Sequence, residues 1–144
     1  MFSGESLQSF ADFQSALYKS SSSSDSFKEL KYNKLKSTPL LASHIIALVV
    51  KKSTNTTIPL LEEIVSSSCA VQNILLSAAE KNIAVHWTSG GLTYTPEMKS
   101  YLGFTEEDQV LGFLYLFLLR YCAQLFQKIL LYFCDLFYQG QLFW

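Results

Sequence analysis

The run Trp87-Thr88-Ser89-Gly90-Gly91 sets a large indole beside two hydroxyls and two glycines. Glycines there permit the backbone to approach a bound molecule closely, so this turn is the first place to look for a ligand. The same five residues also describe a buried tryptophan that closes a core strand before an ordinary Ser-Gly-Gly turn. Other residues with chemical potential are scattered. His44 and His86 stand alone on strand-like segments, where a histidine is more often a hydrogen-bonded core or rim residue than a ligand or base. Glu62 and Glu63, and Glu106, Glu107 and Asp108, adjoin expected helix starts or turns, where capping and solvation account for them better than paired acid and base catalysis. There is no glycine loop of the G-x-G-x-x-G or Walker type. No metal site is expected, and no catalytic residue can be assigned.

Composition narrows the classes. The chain has 144 residues, of which 49% are hydrophobic and 16% charged, enough for one globular domain with its own core. Eleven basic against twelve acidic side chains leave a formal charge of −1, which is no electrostatic footprint for a nucleic-acid partner. Cys69, Cys122 and Cys134 are odd in number and form no C-x-x-C pair, which suits free thiols in a reducing compartment. The stretch from Met1 to Phe13 contains Glu5 and Asp12 and lacks a basic flank before an apolar run, so it does not read as a secretory or transit signal, and a cytoplasmic location is expected.

These residues need elements to position them. Leu7, Phe10, Ala11, Phe13 and Leu17 recur at helical spacing. Ser20 to Ser24 and Asp25 read as a flexible joint, and Phe27 to Lys36 as a short basic helix that ends before Pro39. His44 to Val50 is short, β-rich and apolar on both faces, as a central strand requires. A long helix over 58–81 is expected next, with Thr57 as cap, Pro59 in the first turn and Glu62 and Glu63 complementing the dipole. Its apolar face is Leu61, Ile64, Val71, Leu75 and Ala78, and Ser66 to Ala70 make one turn small enough for another helix to approach closely. Lys81 and Asn82 stop it. A second strand runs from Ile83 to Trp87, a short helix from Thr95 and Pro96 to Leu102 with Gly103 as its stop, and a third strand from Val110 to Leu116. Three strands and several helices predict an α+β fold, a central sheet flanked by helices.

The stretch Ile58 to Leu116 resembles the nitroreductase family, in particular its short single-domain branch of NAD(P)H nitroreductases. The pieces that match in order are Ile58-Pro59, the Ala-Val-Gln-Asn run at Ala70 to Asn73, Trp-Thr-Ser-Gly at Trp87 to Gly90, and Leu102-Gly103-Phe104 followed by Gly112 to Leu116. Weaker similarity reaches back through Pro39 to Lys51 and toward the first helix, or about four fifths of the chain. The resemblance implies a partial nitroreductase-like domain over 1–117, a homodimer with the long helix at its core, FMN bound at the subunit interface, and NAD(P)H as electron donor to a nitroaromatic, quinone or similar small acceptor. It places Trp87, Thr88, Ser89 and Gly90 against FMN, and associates Ser77, Ala78, Ala79, Glu80, Lys81 and Asn82 with NAD(P). An indole can border a flat flavin ring, and a hydroxyl-and-glycine turn can offer backbone donors to its heteroatoms.

The match departs from the family in two ways. The Arg-Arg-Ser type segment that grips the FMN phosphate and the Gln-Pro-Trp type segment under the flavin have no counterpart in this sequence, which begins after both, and some relatives carry arginine at the position of Thr88. The aromatic run 118–144 resembles nothing in the family. In it Arg120, Gln124, Gln127, Lys128, Asp135 and Gln139 fall on one side of a helical projection with Leu131 intruding. Arg120 and Lys128 interrupt it too often for a membrane span, so it reads as a helical tail able to touch a membrane surface. The alternative is a run made by a shifted frame or retained intron.

Overall fold

The computed structural model describes residues 1–54 and 57–118. The tail expected over 118–144 lies, from residue 119 onward, outside them. The elements in chain order are β1 (Phe2–Ser3), α1 (Glu5–Ser21), α2 (Glu29–Ser37), β2 (His44–Val50), α3 (Leu60–Glu80), β3 (Ile83–Thr88), α4 (Pro96–Tyr101) and β4 (Gln109–Leu118). The strands form one antiparallel sheet in the order β1-β2-β4-β3. The architecture is α+β, with helices on both faces of the sheet, as the sequence predicts.

Strand β4 joins the sheet along both edges, from His44↔Leu116 to Val50↔Gln109 on one side and from Ile83↔Leu118 to Thr88↔Phe113 on the other. It is an inner strand of the sheet, as is β2, which lies between β1 and β4 and places Ile45 on one face and Leu48 on the other, as the sequence predicts. Among the described residues, what lies beyond β2 is β1, a two-residue strand paired through Phe2↔Ile45 and Ser3↔His44. Two residues are too few to show a period of two, so β1 escapes detection in the sequence.

On one face α1 packs Leu7 and Phe10 against Ile45, Val110, Phe113 and Tyr115, joined by Met98 of α4. Phe10 has 0% of its surface exposed. Its ring lies 4.7 Å from that of Phe2 and 4.9 Å from that of Phe113, close enough for aromatic contact beyond simple burial. On the other face Val71 of α3 packs on Leu48 and Leu114, flanked by Ile46, Leu75, Val85, Leu111 and Leu116.

The helix boundaries follow from local chemistry. The Thr95 hydroxyl accepts from the Met98 N–H at 3.3 Å, Pro96 opens α4, and Gly103 follows it at φ +79°. Asn82 ends α3 at φ +54°, the left-handed conformation that asparagine tolerates better than most residues. At the start of α3 the expectation of a Thr57 cap is corrected. Pro59 is extended at ψ 141° and its carbonyl accepts from Glu62 and Glu63, so Pro59 is the cap and the helix begins at Leu60. The expected joint at Ser20 to Asp25 is also corrected. Helix α1 runs through Ser21, with Ser20 and Ser21 bonded back to the carbonyls of Leu17 and Tyr18. A tight turn follows, in which Tyr18 donates to the Ser26 carbonyl and accepts from the Lys28 N–H.

Candidate functional site

The hairpin-like pairing of β3 and β4 builds the end of the sheet at which Trp87 sits. Opposite β2, the register of β4 slips between Leu48↔Gly112 and Val49↔Val110, leaving Leu111 as the extra residue of a β-bulge. Gly112 there has φ +145°, a conformation that L side chains rarely adopt. A Cβ on Gly112 would collide with the carbonyl oxygen of Thr88 and with Nε1 of Trp87. The pyrrole edge of the indole thus lies in the space that a side chain at 112 would fill. Trp87 nevertheless keeps 40% of its surface exposed. It is not the buried tryptophan of the simpler sequence reading. The indole stands against the sheet with part of its surface free to meet another molecule.

After Thr88, whose hydroxyl reaches the Phe113 carbonyl at 3.5 Å, the chain turns through Ser89 and Gly90 into a short 3-10 turn, Gly91–Tyr94. Gly90 and Gly91 have φ of +93° and +49°, so this turn needs glycine at both positions. Nothing lies within 4 Å of where a Cβ would stand on either residue, so the backbone here is open to approach. Trp87, Thr88, Ser89 and Gly90 therefore form one contiguous edge. His86, the neighbour of Trp87 on the strand, pairs with Tyr115, and burial holds its imidazole below the usual pKa, in the neutral form at pH 7. Burial likewise pushes the Tyr115 phenol up to about 12, a rise opposed in part by a hydrogen bond from Gln14.

The second sequence-predicted segment lies elsewhere. Ser77, Ala79, Glu80, Lys81 and Asn82 are exposed at the C-terminal end of α3, while Ala78 is buried and turns its side chain to the core. Asn82 and Ser89 flank the six residues of β3 at opposite ends, roughly 20 Å apart at the rise of an extended strand. One chain does not bring the two segments together.

Sequence reasoning missed two features. In the sequence Gly112 is one residue of a matching run, because its role depends on a bulge visible only once β2 and β4 are paired. Asp108, grouped with solvated acids, is 3% exposed. Its carboxylate accepts from the N–H and hydroxyl of Thr105, each at 2.9 Å, and from the Lys52 N–H at 3.0 Å. The Thr105 N–H foremost, with the Lys52 N–H, holds this carboxyl below the usual range. Asp108 is thus a clamp between the end of β2 and the start of β4. Among the described residues no cluster of histidine, cysteine or acidic groups could hold a metal ion, and no helix is long and apolar enough to cross a membrane.

Comparison with known proteins gives the class. The fold is similar to that of the nitroreductase-like family protein from Bacillus cereus, with a TM-score of 0.61, 22% identity, and coverage of 81% of this chain and 59% of that one. No family model matches the chain. In sequence it is 34% identical over 84 residues to the Escherichia coli K12 protein named "Putative NAD(P)H nitroreductase YdjA", and equally to its counterpart in Escherichia coli O157:H7. The aligned part is 58% of this chain and 46% of each relative. The chain therefore has the nitroreductase-like fold, and over 84 residues its sequence is similar to that of the two Escherichia coli relatives. It spans just under half the length of the curated relatives it matches.

Proposed function

We propose that this chain acts in an FMN-dependent oxidoreductase that takes electrons from NAD(P)H and passes them to a small acceptor such as a nitroaromatic or quinone. The carrying observation is the half-open indole of Trp87, fixed over Gly112 and followed by the open turn Ser89-Gly90-Gly91. The nitroreductase-like fold and the printed name of the Escherichia coli relatives support the reading.

The residues present fit a flat heterocycle. Trp87 offers an apolar wall, and Ser89 and Gly90 offer a hydroxyl and accessible backbone. Thr88 brings a hydroxyl and no charge, so the cofactor phosphate would need a cation from other residues. FMN when bound would supply the electron-transfer chemistry, while Trp87 to Gly90 orient its ring and shield part of it from water. Exposed Lys81 and Asn82 at the end of α3 are the proposed contacts for NAD(P)H. Leu61, Val65, Cys69 and Leu76 form an exposed stripe along α3, and a second copy of the chain docked there gives the homodimer of this reading.

The test is an absorbance scan of the protein mixed with excess FMN and then desalted. A retained flavin band that NAD(P)H bleaches without oxygen supports the oxidoreductase. A second reading, a non-catalytic chain acting through dimerisation, is favoured by the same α3 stripe. Folded protein that keeps no flavin would select it.

A further inference from the structure

We propose that Gly112 is a positioning residue for Trp87, and that the missing side chain at 112 sets the angle at which the indole can stack on a planar ring. The inference deepens the flavin reading above and rests on it for the ligand class, though the placement of the indole stands without it.

Three observations on β4 converge. First, the bulge at Leu111 rotates the backbone so that Gly112 takes φ +145°, and bulges often serve to re-aim side chains next to binding sites. Second, a Cβ at Gly112 would strike both the Thr88 carbonyl oxygen and the Nε1 of Trp87. The strand terminus and the indole thus share the volume freed by one absent methyl group. Third, Trp87 pairs with Leu114, whose side chain is fully buried beneath α3. The indole therefore rests between a packed sheet below and the glycine gap at its pyrrole edge, with its remaining surface outward. By contrast, nothing lies within 4 Å of a Cβ built on Gly90 or Gly91. Those glycines satisfy the turn, whereas Gly112 makes room for the neighbouring side chain.

The chain has two tryptophans, so the experiment uses full-length protein carrying Trp144→Phe, in which Trp87 is the sole indole. Gly112→Ala is compared with its parent in the absence of flavin, by acrylamide quenching of the emission and by the indole N–H resonance in a nitrogen-15 spectrum. A displaced indole appears as at least a twofold change in quenching and a moved resonance, with far-ultraviolet dichroism retained. An unchanged resonance and unchanged quenching in folded Gly112→Ala would overturn the proposal. Should Gly112→Ala fold poorly, the double variant Trp87→Ala/Gly112→Ala decides. A smaller drop in Tm from Gly112→Ala when the indole is already gone supports the shared volume, and an equal drop in both backgrounds refutes it. FMN titration of the same proteins then separates the two layers. A Kd raised about tenfold by Gly112→Ala supports stacking on the positioned indole. A moved indole in a parent that never binds FMN keeps the positioning role and removes the flavin reading.

Discussion

On one face of the sheet Phe10, Met98 and Phe113 interlock beneath α1 and α4. On the other, α3 meets Leu48 and Leu114 with Val71 and leaves Leu61 70% and Leu76 59% exposed. Both helices are amphipathic by sequence, and each presents several large apolar residues. The difference lies in angular width. The apolar positions of α1 converge on one stripe, whereas α3 carries a second stripe, Leu61, Val65, Cys69 and Leu76 at spacings of four, four and seven, beside the one that meets the sheet. A helix with two apolar faces is complete only when both are covered. Among the described residues the α1 face is covered, and the second stripe of α3 is left exposed, which is where the proposed second copy would dock.

Four variants sharpen or break this contrast. Phe10→Ala should have the largest effect, a loss of about 3 to 5 kcal/mol in a denaturant titration, because it opens a cavity at the most enclosed point of the finished face. A loss below about 1 kcal/mol would mean that this face is no better packed than the other. Asp108→Asn, at the rim joining β2 to β4, should lower Tm by several degrees at pH 7. The native carboxyl is held below its ordinary pKa, so the stability it contributes is present above about pH 4, the unfolded value, and disappears as pH falls through the lower folded value. The gap in Tm between variant and parent should therefore close only in that acid range, and a gap independent of pH would remove the charge from the explanation. Leu61→Ser combined with Leu76→Ser should change the unfolding free energy of dilute protein by no more than about 0.5 kcal/mol. The same pair should weaken self-association measured by sedimentation, and unaltered sedimentation would show that the stripe is not the contact. Smallest of all, Lys52→Ala removes the 3.4 Å contact to Glu107, an exposed ion pair worth at most about 1 kcal/mol. It leaves the backbone N–H that Asp108 holds, so thermal melts should hardly shift.

What could be read from the sequence is local. The apolar runs of β2, β3 and β4, the Thr95-Pro96 start of α4 and the Lys81-Asn82 stop of α3 each depend on a few neighbouring residues, and each falls within about three residues of its observed place. The turn at Ser89 to Gly91 was legible for the same reason, since its glycines announce an unusual backbone. The misreadings are non-local. The spacing of Leu61 from Ile64 is helical and predicts a place on the buried face, yet only the docking of Val71 and Ala78 fixes which side points inward. The burial of Asp108 depends on Lys52, which lies 56 positions away. The fit of Trp87 over Gly112 needs the bulge, and the bulge needs β2.

The order of the strands bears on how the chain reaches its fold. The inner strand β4 is the last of the four described strands to be synthesised, and its partner β2 lies roughly sixty to seventy positions earlier, from Val50↔Gln109 to His44↔Leu116. Until β4 arrives, β2 and β3 have no strand between them, and Phe10, Leu48 and Ile45 have no sheet to pack upon. Loop closure over such separations is slow compared with forming α1 or α3. A chain that lacks β4 therefore holds amphipathic helices and unpaired apolar strands, the kind of exposed surface that favours aggregation until the sheet closes.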